Sequence, residues 1–194
     1  MPAKNKQSTI AWIIWALLLA ILVVMNLWII PSGSKKIMDS ADNPASANLL
    51  DLQIVGFSET EVYTVLNSLG EEGRRQYAQF ALREDFYYPL SYGIFLAFTL
   101  YSLAAFCLRR RIRVLIIALI PLIGMAADYV ENFHILSLIR QFPDLHPGTV
   151  QIASVANTLK WGLVFLSAGL VLVFLVWGLV QKWCRKKSVN PLGC

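Results

Sequence analysis

A chain of 194 residues with 57% hydrophobic and 15% charged residues, and a mean hydropathy of +0.57, carries too little charge for an ordinary soluble domain. Its formal net charge of +5 does not point to nucleic acid, because the basic residues cluster beside apolar runs, where anionic lipids attract them. The composition is that of an integral membrane protein whose first partners are membrane lipids.

Residues 1–9 form a short tail with Lys4 and Lys6, and residues 10–30 form the first apolar run. Crossing a hydrocarbon core of about 30 Å takes about 20 helical residues, which this run supplies. It is longer than a signal-peptide core, and Pro31-Ser-Gly-Ser34 offers no small-x-small cleavage site, so it is expected to stay as a signal anchor.

Residues 31–85 form the one large outer loop. Its first part, Pro31 to Asn48, is rich in Ser, Asn, Asp and Pro and reads as an irregular tether. A helix is predicted to start at Ser58, because Glu61 three residues later completes a capping box and Phe57 and Val62 occupy the positions of a hydrophobic staple. Val62, Leu66 and Leu69 continue its apolar face, and Gly70 suits a left-handed C-cap. A second amphipathic helix is predicted over Glu71 to Arg83, with Tyr77, Phe80 and Ala81 on its apolar side. The pair would cap the outer face.

Three more spans follow, residues 86–108, 114–138 and 153–180, joined by a tight turn at 109–113 and a second outer loop at 139–152. Residues 181–194 form the C-terminal tail. Pro121 is expected to kink the third span, and Gly124 to permit a close helix approach. Short connections make neighbouring spans antiparallel. The predicted fold is all-α, an up-down transmembrane four-helix bundle with a short helical cap.

The cations orient it. Lys4, Lys6, Arg109, Arg110, Arg111, Arg113, Lys182, Arg185, Lys186 and Lys187 fall on one side, which places both termini in the cytoplasm. Every Asp and Glu falls on the other side or in the outer half of a span. Cys107, Cys184 and Cys194 lie near or beyond the inner ends, where thiols stay reduced, and no C-x-x-C is present. This pattern argues against a membrane thiol oxidoreductase. Cys107 and Cys184 are placed as palmitoyl acceptors would be, or as plain thiols, while the final position of Cys194 does not fit a C-a-a-X prenylation site.

Ionisable groups inside a bilayer are expensive and usually paired. Asp128, Glu131 and Asn132 share one helical face at i, i+3 and i+4, and Asn157 and Lys160 stand three apart on the next span. Asp85, Tyr88 and Tyr92 form a stripe on the second span, with Ser91 beside it, and Asn26 is polar within the first. At about 1.5 Å per residue, Asp128 and Glu131 lie roughly 22 and 27 Å from Arg113, and Lys160 roughly 33 Å from Lys182. All belong to the outer third of the membrane.

Three functions fit. The network fixes helix packing; or Asp85, Tyr88, Tyr92, Asp128, Glu131, Asn132, Asn157 and Lys160 bind a lipid head group or a small polar ligand; or Asp128 or Glu131 serves a lipid-modifying or metal-dependent enzyme, with Asp85 and His134 as further ligands. His134 and His146 otherwise have ordinary solvated roles. No cofactor is expected, since the chain has no H-E-x-x-H, no G-x-S-x-G, no glycine-rich phosphate loop and no histidine pair suited to haem. Binding is the leading expectation, and oligomeric state is left open.

The run Asp85-Phe-Tyr-Tyr-Pro-Leu-Ser-Tyr92, the Asp128-x-x-Glu131-Asn132 face and Asn157-Thr-Leu-Lys160-Trp161 together resemble a group of uncharacterised prokaryotic four-span membrane proteins. The resemblance covers Ser58 to Val180 and implies a bacterial inner membrane, but no chemistry. The loop sizes are similar to those of claudin-like proteins, yet the chain lacks their paired extracellular cysteines and W-x-x-W-type motif.

Overall fold

In the computed structural model, which describes residues 3–189 and the side chains of residues 9–184, every regular element is helical. Six α-helices follow in order: α1 (Ala3–Val24), α2 (Ile30–Asp39), α3 (Glu59–Leu82), α4 (Glu84–Cys107), α5 (Arg111–Gln141) and α6 (Pro147–Val189). The stretches Thr9–Asp39, Glu59–Cys107, Arg111–Gln141 and Pro147–Cys184 are long and apolar enough to cross a membrane. The chain is an all-helical integral membrane protein. The side chains of Lys4, Lys6, Arg185, Lys186 and Lys187, and all of Cys194, lie outside the described residues.

The segment expected to be an irregular tether is helical over its first part. A π-helical turn at Met25–Ile29 joins α1 to α2, and Pro31 stands in the first turn of α2. Proline lacks the N–H that would continue the ordinary ladder, and a wider turn just before it accommodates that loss. Composition misleads here because packing decides. Ile37 is 1% exposed, and Gly33 lies so close to the Phe80 ring of α3 that a Cβ at this position would overlap it. Only residues 40–57 remain without a long element, and they hold two single 3₁₀ turns, Pro44–Ser46 and Leu50–Leu52.

The capping box forms as the Ser58 and Glu61 spacing predicts. The Ser58 N–H donates to Glu61 Oε2 at 2.7 Å, and the Glu61 N–H donates to Ser58 Oγ at 3.3 Å. Gly70 breaks α3 into two helices with φ 66°, a left-handed value that suits glycine. The Asp42 carboxylate fills the space a side chain would need there. After Arg83 the chain enters α4 directly.

Helix α5 packs against both α4 and α6, α4 also meets α6, and α1 meets α4. The first helix is anchored there by Trp15, whose Nε1 donates to Thr99 Oγ1 at 3.1 Å and whose ring lies 5.8 Å from that of Phe95. Close approach follows from small residues: a Cβ on Gly93 would press on Met125, and one on Gly124 would stand 3.2 Å from Leu163 Cβ.

Two apolar cores result. The larger gathers Ile37, Leu50, Leu66, Tyr77, Ile135 and Leu138 from α2, the 40–57 segment, α3 and α5. The smaller gathers Leu100, Ala104, Val114 and Phe174 towards the other ends of α4, α5 and α6. Along α5 and α6 the polar residues fall between them, next to the larger core.

Candidate functional site

Three helices contribute to the polar centre. Asp128, Glu131 and Asn132 on α5, Asn157 and Lys160 on α6, and Asp85 and Tyr92 on α4 are all buried, Asp128 at 2% exposure and Glu131 and Asn157 at 0%. Lys160 is the hub, with Nζ 2.5 Å from Glu131 Oε2 and 3.3 Å from Asp128 Oδ1. The Tyr92 hydroxyl donates to Asp128 Oδ2 at 2.9 Å, and Asn157 Nδ2 donates to Glu131 Oε1 at 2.7 Å. Three of the four carboxylate oxygens accept a hydrogen bond, and the fourth, Glu131 Oε2, is held by its ion pair with Lys160 alone. The Coulombic gain offsets the cost of removing these charges from water only when geometry is this complete. The i, i+3 spacings of the sequence do bring these side chains together.

Sequence reasoning missed one contributor altogether. The 3₁₀ turn at Leu50–Leu52 enters the bundle, and the Leu50 carbonyl accepts from Asn157 Nδ2 at 3.3 Å. Irregular backbone at this depth is tolerated where protein surrounds it. Beside it Asp51, 7% exposed, accepts a 2.6 Å hydrogen bond from the Tyr77 hydroxyl. Tyr77 was expected only to be apolar packing. The available signal was Asp51 itself, a single acid in the apolar run Leu49-Leu50-Asp51-Leu52.

Other expected members stand apart from the hub. Tyr88 is half-buried, stacks edge-on against Tyr92 at 5.4 Å and donates to Asn26 Oδ1 at 3.1 Å, tying α4 to the first helix. Asn132 is 6% exposed, and its Nδ2 has no hydrogen-bond partner; neither has Asn157 Oδ1. Asp85, also 6% exposed, makes no hydrogen bond and no ion pair with any described residue, although it lies in the field of Asp51, Asp128, Glu131 and Lys160.

His134 does not join the carboxylates. Its Nδ1 lies 2.7 Å from the Val130 carbonyl of its own helix. Among the described residues no three His, Cys, Asp or Glu side chains come together as metal ligands would. The metal-dependent grouping of Asp85, Asp128, Glu131 and His134 therefore does not assemble.

Two grooves run along the exposed side of α6. One, of about 390 Å³, lies between α5 and α6 and includes Ala127, Val130, Val155, Ala156 and Leu159. The other, of about 520 Å³, continues past Thr158, Gly162 and Leu166. Ala127 and Ala156, which line the first groove, directly adjoin Asp128 and Asn157 in the chain.

No family model, curated protein or solved structure matches this chain. This agrees with its resemblance to a group from which no chemistry can be transferred. Function has to be argued from the site.

Proposed function

We propose that the protein is a bacterial inner-membrane protein that binds a lipid head group or another small polar ligand at its buried polar centre. In this reading the four long helices run up and down, α3 caps the outer face, and both termini are cytoplasmic. The basic turn Arg109-Arg110-Arg111-Ile-Arg113 between α4 and α5 supports that orientation.

The observation that carries the binding reading is polar surplus. Buried polar groups are nearly always satisfied, because an unsatisfied one costs about 1–3 kcal/mol. Here Asn132 Nδ2 and Asn157 Oδ1 lack partners, and the nearby Asp85 carboxylate makes no hydrogen bond. A ligand would complete them. The grooves along α6 add an apolar track for acyl chains beside that centre.

A second reading, a network that only sets helix packing, is favoured by the saturation of Asp128 and Glu131. Asn132→Leu separates the two, since it removes an unpartnered donor and leaves every ion pair in place. If the protein binds a ligand, native mass spectrometry of the wild type in mild detergent shows a retained small molecule or lipid that the variant loses. Identical spectra, with an equally or more stable variant, would establish the packing role.

A further inference from the structure

Among the described residues four carboxyl groups are buried, Asp51, Asp85, Asp128 and Glu131, against one buried ammonium, that of Lys160, which touches only Asp128 and Glu131. Lys160 is fully committed to Asp128 and Glu131, and the Asp51 carboxylate has the Tyr77 hydroxyl. Asp85 is left. It is nine-tenths buried, yet among the described residues it has no hydrogen-bond donor and no ion-pair partner, and the negative charges of three other acids act on it. Its place in the first turn of α4 supplies part of the missing positive charge through the helix dipole, which falls off within one turn. A proton is a poor substitute for the rest: a neutral carboxyl carries an O–H, and the fold offers no acceptor hydrogen-bonded to it.

Resting on the binding reading above, we propose that Asp85 is the counter-ion of a compact monovalent cation, the primary ammonium group of a lipid head or of a free amine. Three features select that chemistry. The carboxylate supplies the charge. Tyr88 and Tyr92, one and two turns along the same helix face, supply aromatic rings that attract a cation. Asp85 is nine-tenths buried, and a primary ammonium, which is small and donates hydrogen bonds to a carboxylate, suits it better than a bulkier trimethylated group that cannot donate. A divalent metal is disfavoured because no three acidic or imidazole ligands converge among the described residues.

The test is the thermal unfolding midpoint of the full-length protein in detergent, followed by tryptophan fluorescence. Phosphatidylethanolamine, phosphatidylcholine and phosphatidylglycerol would be added as mixed micelles, and ethanolamine, ammonium and choline chlorides at constant ionic strength. The expected result is an upward shift with phosphatidylethanolamine, or with ethanolamine and ammonium chlorides, and none with the choline counterparts. A response to the lipid alone identifies a head group; a response to the free amines identifies a soluble ligand. Asp85→Asn should abolish the shift and have a ligand-free midpoint no lower than the wild type, while Asp85→Glu should keep it.

The proposal is overturned if choline compounds act as well as ethanolamine compounds, if Asp85→Asn responds like the wild type, or if acidification alone raises the midpoint and no amine does. Should phosphatidylglycerol alone stabilise the wild type and Asp85→Asn but not Asn132→Leu, binding at the centre stands and its cationic selectivity fails. If none of the probes shifts the midpoint, the amine proposal falls, and the binding reading falls with it only if native mass spectrometry also shows no molecule that Asn132→Leu loses.

Discussion

Removing the Lys160 ammonium would leave Asp128 and Glu131, at 2% and 0% exposure, without a cation. Lys160→Met is therefore expected to cost about 3–5 kcal/mol, the penalty typical of breaking one side of a buried pair. Denaturant or thermal unfolding in detergent reads that loss. Neutralising all three groups together, with Asp128→Asn and Glu131→Gln added, should recover most of it; an undiminished Lys160→Met would show that the hub is not holding the helices. At the same scale, Tyr77→Phe deprives the buried Asp51 of its 2.6 Å donor and should destabilise by about 1–3 kcal/mol. Asp128, Glu131 and Lys160 were legible in the sequence, because depth and an i, i+3 pattern put opposite charges at one level. Asp51 and Tyr77 were not, since 26 residues separate them and no periodicity links a 3₁₀ turn to a helix face.

Elements were readable where a local rule makes them. The Ser58 capping box needs only residues three apart, and its loss in Ser58→Ala should cost about 0.5–2 kcal/mol, measured by the same unfolding experiment. The break at Gly70 is equally local in origin, since its φ of 66° excludes most side chains, but its depth depends on tertiary structure. Gly70→Ala combines that backbone strain with a collision against the Asp42 carboxylate, so it should cost more than about 1 kcal/mol. A cost no larger than that of an ordinary glycine replacement within a helix would mean that Asp42 yields freely. Helix α2 shows the opposite case. Its Pro, Ser and Gly residues resemble a tether, and it is helical because Gly33 admits Phe80 and Ile37 enters the larger core. Neither contact is visible within ten residues of sequence.

The orientation belongs to the whole molecule. A periplasm-inactive, cytoplasm-active reporter fused after Cys194 should be active, as should one placed in the Arg109 to Arg113 turn, if cations set the topology. Activity of a reporter inserted near Asn48 instead would invert the proposed arrangement.

The number of long apolar helices, the start of α3 and the level of the charged residues all followed from the sequence alone, because each depends on composition or on neighbours within one or two helical turns. Only the tertiary structure decided that Lys160 pairs with both Asp128 and Glu131, that the Leu50–Leu52 turn enters the bundle to meet Asn157, and that Asp85 has no partner among the described residues. The reason is physical: helical periodicity assigns a residue to a face and a depth, whereas the partner on that face is chosen by how four separate helices and a loop pack together.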